Sequence, residues 1–589
     1  MSIYIKTYCY LFFYLSNFVY AEFCEDYVAE RIPLFGDLHV HTALSLDAAT
    51  QGTINRPADA YRFALGQSIS LQPYDKNGAS QRSAILKRPL DFMAVTDHAE
   101  LLGEVALCED SNSLAYNSLT CMTYRNLPQV AYYQMNTKAS LRSPISICGK
   151  NRANCLEAAK VPWRETIDSA ERFNAVCHFT TFVGYEWTGA KYSGNNLHRN
   201  VIFNSFSAPN KPISFYEAPT REDLWQQLDD TCKGDCEYVI IPHNSNLSNS
   251  YMFEDPSIND LEIIQSREPI IEIFQHKGSS ECNDINDKYC DFELLPYKDF
   301  SSKFFSDNSN VPASSFVRYG LNRGIEIKDA YQINPFKYGF IASTDTHLAT
   351  AGAVDETLMQ GHGGAGKSHK DVLPEGLPDD IESNPGGLAV VWAEENSRSS
   401  IFAALKRRET YATSGPRFIV RFFGGDNISD NSCSEASAIK NAYESGVPMG
   451  GSLDITNMET VKFFMMIQAD PQLEDHFIEA VQLIKSSSKD SQAEIEVISV
   501  FDDSINSELN LNTCQLETTN PKSFCEVWED DQFDPNENAY YYLRVISSPT
   551  CRWSHELCID NPDMCEEGTN YPKFIHERAW TSPIWLERN

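Results

Sequence analysis

Residues 36–47, Gly36-Asp37-Leu38-His39-Val40-His41-Thr42-Ala43-Leu44-Ser45-Leu46-Asp47, constrain this chain more than any other stretch. Leu34, Leu38 and Val40 read as strand, and alternate side chains of an extended segment share a face. His39 and His41 therefore point the same way and can hold one cation between their ring nitrogens. A His-x-His spacing alone is weak. Its weight comes from recurrence: five later apolar runs also end in His, Asp or Glu, each where a strand would hand over to a loop.

Residues 90–95 end in Thr96-Asp97-His98-Ala99-Glu100, and residues 179–185 deliver Glu186 and Trp187, with His198 and Arg199 soon after. Residues 238–242 deliver His243 and Asn244, residues 270–274 deliver Gln275, His276 and Lys277, and residues 338–343 deliver Asp345 and His347. A seventh run covers residues 388–392. Helical patterns fall at 56–66, where Pro57 stands near the start and Gly66 just past the end, and at 164–173, 221–228 and 397–408. Seven apolar runs with connections that are often helical predict a parallel, barrel-like α/β fold, whose active site gathers at the C-terminal strand ends. All the candidate ligands sit at such ends, which a random scatter of 13 histidines would not produce.

No strand pattern repeats between about residues 101 and 178, and this stretch, with four cysteines from Cys108 to Cys155, reads as an inserted cap. The Gly-rich residues 361–366 lack GxxxxGK[ST] order and have no strand directly before them, so a lid or plain loop fits better than a phosphate-binding loop. From about residue 418 to 589 the texture changes. Period-two runs at 461–468, 477–484, 493–500 and 540–546, separated by polar turns, predict a β-rich, sandwich-like C-terminal region. Packing, substrate contact and carbohydrate binding all remain open as its role. His476, His555 and His576 lie there without partner spacing and read as surface or core residues.

Residues 1–21 carry Lys6, an apolar, aromatic-rich run and then Val19-Tyr20-Ala21. They read as a signal peptide cut after Ala21, with a buried helix or a retained anchor as the alternative. No other run is long and apolar enough to span a bilayer. The expectation is a periplasmic or secreted protein. Of the 17 cysteines, Cys9 lies in this leader, and the even remainder fits disulfides in an oxidising compartment. Close sets such as Cys232 and Cys236, Cys282 and Cys290, and Cys551, Cys558 and Cys565 also admit zinc, but none shows paired C-x-x-C spacing. Connectivity stays open. With 48 Lys and Arg against 82 Asp and Glu, the formal net charge is −34. Such a surface repels nucleic acid and anionic membranes. An anionic substrate therefore needs a local cationic site, for which bound metal ions are the obvious source.

His39, His41, Asp47, His98, Glu186, His243, His276, Asp345 and His347 make nine potential ligands, too many for one tetrahedral ion and suited to two or three. Mixed imidazole and carboxylate ligation fits Zn²⁺, Mn²⁺ or Fe²⁺. A carboxylate such as Glu186 can bridge two ions, and clustered divalent ions activate water, so hydrolysis is the default reaction class.

Gly36-Asp37-Leu38-His39-Val40-His41-Thr42, Val95-Thr96-Asp97-His98, Pro242-His243-Asn244 and Ser343-Thr344-Asp345-Thr346-His347 resemble the four motifs of the PHP (polymerase and histidinol phosphatase) superfamily. Gly184-Tyr185-Glu186-Trp187-Thr188, the stretch from Leu197 to Phe203, and Gln275-His276-Lys277-Gly278-Ser279-Ser280-Glu281 are similar to an exported bacterial PHP-like family of unknown function. The resemblance covers roughly residues 32–417. It implies a distorted seven-stranded (β/α) barrel, a trinuclear metal site and phosphoesterase activity on a small anionic substrate. Residue by residue, it implies His39, His41, His98, His243, Asp345 and His347 as ligands, Glu186 as the bridging carboxylate and His276 as a further ligand. Asp47 departs from the pattern, standing where many relatives have His. Asp97 is expected to orient a histidine. His198, Arg199 and Lys277 are expected to bind substrate, with packing of the barrel mouth as the equal alternative for His198 and Arg199, and His198, Arg199, Glu186 and Asp345 make the catalytic set. The alternatives are a non-catalytic, metal-containing secreted binding protein and a hydrolase of a non-phosphate ester or amide.

Overall fold

The computed structural model describes residues 24–588 except 76, 192–193, 300, 303–310, 364–378, 518–519 and 561–571. The signal peptide expected at 1–21 and most of the Gly-rich loop lie outside the described residues. The first four strands of the core are β1 (Ile32–Asp37), β2 (Phe92–Val95), β3 (Thr180–Trp187) and β4 (Arg199–Phe203). β5 (Tyr238–Pro242), β6 (Ile270–Gln275), β7 (Gly339–Ala342), β8 (Leu388–Ala393) and β9 (Thr410–Thr413) follow. β1 to β9 are almost wholly buried, which is why their sequences read as continuous apolar runs rather than as alternation.

β1, β2 and β3 run parallel, with Gly36 opposite Phe92 and Met93 opposite Thr181. Gly36 is required there: a Cβ on it would meet the Phe92 ring at 2.5 Å. β4 runs antiparallel to both of its neighbours, pairing Val183 with Phe203 on one side and Arg199 with Pro242 on the other. β8 is antiparallel to β1 and to β9. β6 and β7 pair in parallel in a separate small sheet. The architecture is thus mixed α/β, and among the described residues its ladders do not close into the seven-stranded parallel ring that alternating runs suggested. One short connection contributes to this: residues 188–198, between β3 and β4, hold no helix among the described residues and are too few for a crossover that would restore parallel direction.

Helices cover this core. α1 (Pro57–Ala64) opens with Pro57, and Asp59 Oδ2 accepts from Arg56 N at 2.9 Å. In the insertion, α2 (Leu102–Glu109), α3 (Leu119–Asn126) and α4 (Pro128–Ser140) share a small core of Leu101, Val105, Tyr124, Ala131 and Met135. α5 (Lys160–Phe173) returns the chain to β3. α6 (Arg221–Thr231) is capped by Thr220 and Asp223 and buries Leu224, Trp225 and Leu228. α7 (Leu261–Arg267), α8 (Val317–Tyr331) and α9 (Arg398–Arg407), the last capped by Ser397, complete the set.

The C-terminal strands are β10 (Ile419–Gly425), β11 (Ser452–Asp454), β12 (Lys462–Gln468), β13 (Ile478–Lys489), β14 (Gln492–Asp502), β15 (Ser523–Glu529), β16 (Ala539–Ser547), β17 (Arg578–Thr581) and β18 (Ile584–Glu587). β17 pairs with β9, so the sheet of β1–β5, β8 and β9 runs on into β16 and β18. β10, β12 and β15 form a second sheet, whose Phe463 packs against Tyr541 at 4.4 Å between ring centroids. Seven disulfides join Cys24 to Cys177, Cys108 to Cys121, Cys148 to Cys155, Cys232 to Cys236, Cys282 to Cys290, Cys433 to Cys525 and Cys514 to Cys551. Cys558 is disulfide-bonded as well. Among the described residues no helix is long and apolar enough to cross a membrane.

Candidate metal centre

The segments that leave the buried strands are stitched to one another by backbone hydrogen bonds. His276 N donates to Thr344 O, Asp345 N to His39 O and His41 N to Thr346 O. Thr96 N donates to Val40 O, Glu186 N to Asp97 O and His243 N to His198 O. This belt turns strand-end residues that are far apart in sequence into neighbours. Asp345 and Asn244 sit at its sharpest turns with φ near +54, a region that Asp and Asn tolerate better than most residues and that recurs at functional sites.

Glu186 lies at the middle. Its Oε2 is 3.3 Å from His39 Nε2 and 3.2 Å from both His41 Nε2 and His98 Nδ1, while its Oε1 is 2.8 Å from His198 Nδ1 and 3.4 Å from His243 Nε2. Asp345 Oδ1 is 3.2 Å from His39 Nε2 and from His41 Nε2, and its Oδ2 is 3.4 Å from His276 Nε2. Lys277 Nζ forms an ion pair with the same Oδ2. Asp47 Oδ2 stands 2.9 Å from both His98 Nε2 and His347 Nε2. All nine residues expected as ligands are therefore brought together, with His198 and Lys277 beside them.

Arg199 is not among them. Its side chain is 2 % exposed, donates from Nε to Glu268 Oε1 at 2.7 Å and from Nη1 to Leu197 O at 2.6 Å, and so faces a different partner. The cause is strand alternation: His198 and Arg199 are consecutive, and only one of them can turn toward Glu186.

Outer partners fix the rings. Glu272 Oε2 lies 3.1 Å from His39 Nδ1, which leaves Nε2 for the centre. His41 Nδ1 is 3.0 Å from Ser45 Oγ, and Ser45 Oγ donates to Asp97 Oδ1 at 2.8 Å, so Asp97 acts on His41 through one hydroxyl. His98 Nδ1 is 2.7 Å from Thr188 Oγ1, and His347 Nδ1 is 2.9 Å from Asp345 O. Gln275 Nε2 donates to Asp345 Oδ2 at 2.7 Å. Glu272 escaped the sequence reading, although a lone Glu in the apolar run Ile270-Ile271-Glu272-Ile273-Phe274 was a usable signal. Nothing local announced Ser45 or Thr188.

Several of these buried atoms have no hydrogen-bond partner: His41 Nε2, Glu186 Oε1, both ring nitrogens of His243 and of His276, and Asp345 Oδ1. Close approach without hydrogen-bond geometry is costly unless something else satisfies the lone pairs. Three groups, His41/His98/His347, His39/His41/Asp345 and His39/His243/Glu272, each set three donor atoms within 4.8 Å of one another. Imidazole and carboxylate donors arranged so fit divalent transition metals. Without a cation the carboxylates place protons on part of the cluster: against burial, Glu186 and Asp47 raise His98 to about 10, and Asp345 and Glu272 raise His39 well above its usual value. Burial works against the charged forms of all these groups, yet His98 and His198 hold Glu186 well below the usual carboxylate range, and His39 and Lys277 do the same for Asp345. Burial pushes His198, His276 and His347 down to about 4, leaving them neutral and able to donate lone pairs.

The centre opens into a cavity of about 440 Å³ bordered by Asp47, His98, Glu186, His198 and Lys277 on one side and by α4 of the insertion on the other.

The crystal structure of a two-domain protein from Bacteroides vulgatus ATCC 8482, described as containing a predicted PHP-like metal-dependent phosphoesterase, is similar over 87% of this chain and 91% of that chain, with 11% identity and a TM-score of 0.29. That likeness is too low to carry any residue across. No curated protein matches the sequence. The family model described as a protein of unknown function, DUF3604, matches residues 28–588, and the chain belongs to that family.

Proposed function

We propose that this protein is an exported hydrolase, most simply a phosphoesterase, that uses two or three divalent transition metals. One observation carries this reading: buried imidazole and carboxylate atoms lacking hydrogen-bond partners converge around Glu186, which itself lines a cavity large enough for a small substrate. His39, His41, His98, His243, His347, Glu186 and Asp345 would hold the ions, with His276 and Asp47 completing the set. Bound there, divalent ions supply an acidified water and neutralise charge on a phosphoryl or carbonyl centre.

The chain's own residues have separate tasks. Glu272, Ser45 and Thr188 orient the rings of His39, His41 and His98. Glu186 spans the centre, with one oxygen toward His39, His41 and His98 and the other toward His198 and His243. Lys277, a cation at the cavity edge, attracts an anionic group toward the centre. The sequence motifs shared with the PHP superfamily support the phosphoester assignment. The disulfides support an oxidising compartment.

Purified protein, supplied with Mn²⁺ or Zn²⁺ and assayed on phosphomonoesters, phosphodiesters and carboxylic esters, is expected to contain more than one transition-metal ion per chain and to turn over at least one phosphoester. Activity on carboxylic esters alone would replace the phosphoesterase assignment. Metals without turnover of any ester would favour a binding protein, and protein that retains one ion or none would sink the multinuclear centre.

A further inference from the structure

The inserted cap places an aromatic wall across from the metal-ligand cluster. α4 starts at Pro128 and buries Ala131, Met135 and Ala139, spaced four apart, in the core of the insertion. The adjoining face then carries Tyr132, Tyr133 and Asn136 to the cavity. The two tyrosine rings meet edge to face at 5.2 Å, and Asn136 Nδ2 donates to the Tyr132 hydroxyl at 3.4 Å. Disulfides Cys108–Cys121 and Cys148–Cys155 fasten the same small domain, so the wall belongs to a braced element.

The opposite side of the cavity is rich in charge but nearly devoid of cations. Among its described lining residues Lys277 is the only Lys or Arg, against Asp47, Glu100 and Glu186. A polyanion such as a nucleic-acid strand would need several cations. Leu46, Leu101 and Ala190 add apolar surface beside the tyrosines. The cavity thus has one end for a single anionic group and one flank for a flat apolar body.

Building on the hydrolase reading, we propose that the cap selects the substrate class: a small monoanionic or dianionic ester whose organic part is an aromatic ring, packed against Tyr132 and Tyr133 while its anionic group faces Lys277 and the centre. Ring-on-ring packing at a site of this kind is worth about tenfold in affinity. Both tyrosines lie outside the set of proposed ligands, and metal content measured beside each variant shows whether the centre stays intact when the wall is removed.

Binding of phenylphosphonate and methylphosphonate to the full, metal-loaded chain tests this without dependence on leaving-group reactivity. Titration calorimetry should give phenylphosphonate an advantage of about tenfold or more. Tyr132→Ala with Tyr133→Ala should reduce that ratio to near one, leaving methylphosphonate affinity and metal content unchanged, whereas Tyr132→Phe should keep most of it. Should the double variant fold poorly, Tyr133→Ala alone, at a half-exposed position, should still lower the ratio severalfold. Equal affinities in the natural protein, no binding of either phosphonate, or a ratio that survives both substitutions would overturn the proposal. If discrimination is found yet no ester is hydrolysed, the hydrolase reading fails and the wall stands. If esters are hydrolysed and discrimination is absent, the wall alone fails.

Discussion

Two clusters of buried charge lie in this molecule, and they differ in how completely they satisfy themselves. At the metal-ligand cluster, carboxylates face imidazoles at distances from 2.8 to 3.4 Å and seven ring or carboxylate atoms have no hydrogen-bond partner. At the junction of α8 with β16 and β17, Glu281 and Asp287 face guanidiniums instead. Arg318 donates to Glu281 at 2.8 Å and to Asp287 at 3.0 Å, Arg544 to Asp287 at 2.7 Å, and Trp580 and Tyr542 donate to Glu281 at 2.7 and 2.8 Å. None of these side chains has an unpartnered buried polar atom. Equal burial of charge therefore means opposite things. A network that closes on itself is structural, while one left open at many atoms awaits a ligand.

The comparison can be broken or sharpened by substitution. The largest effect is expected for Glu186→Gln, which should lower turnover of the best ester by about 10⁴-fold, about 5.5 kcal/mol, together with metal content. Unfolding in chelator should show a loss of stability as well, since His98 and His198 hold the Glu186 carboxylate well below its usual range without any cation, so loss of metal is the readout that marks the centre. Turnover within tenfold of the natural protein, measured beside elemental analysis, would remove Glu186 from the centre.

Glu281→Gln should act the other way, costing about 3–5 kcal/mol of stability because it strips a buried pair of one partner, with metal content unchanged in the folded fraction. Burial raises the Glu281 carboxyl, but Arg544 and Arg318 outweigh it and bring it down from 4.5 to about 2. A depressed carboxylate contributes its stability above its unfolded value and loses it as pH falls. The gap between natural protein and variant should therefore be full above about pH 4.5 and close as pH drops through about 2. Denaturant titrations at several pH values read this directly, and a gap independent of pH would contradict it.

The smallest effect is expected for Arg199→Gln. It removes one of the partners of buried Glu268, which keeps Arg221 and Tyr338 beside it, and should cost about 2–3 kcal/mol of stability with no change in KM. A tenfold rise in KM with unaltered unfolding would return Arg199 to the substrate site that the sequence first suggested.

Local sequence was decisive where one residue's neighbours fix its surroundings. Apolar runs set the buried strands, alternation put His39 and His41 on one face, and the position of each His, Asp or Glu at a run's end put it at the rim of the core. Those relations act over a few residues and survive without knowledge of the fold. Partner choice does not. His198 and Arg199 are adjacent, yet one turns to Glu186 and the other to Glu268, 69 residues away. The continuous stretch from Gln275 to Glu281 is divided likewise, with His276 and Lys277 at the centre and Glu281 in the arginine network. Glu272 orients His39 from across 233 residues, the tyrosines of α4 come from an insertion with no strand pattern, and disulfide pairs span up to 153 residues. Sequence alone thus determined which side chains reach the rim of the core, because periodicity is local. Tertiary structure alone decided which of them meet, because that depends on strand direction and on the packing of segments whose order along the chain carries no record of their distance in space.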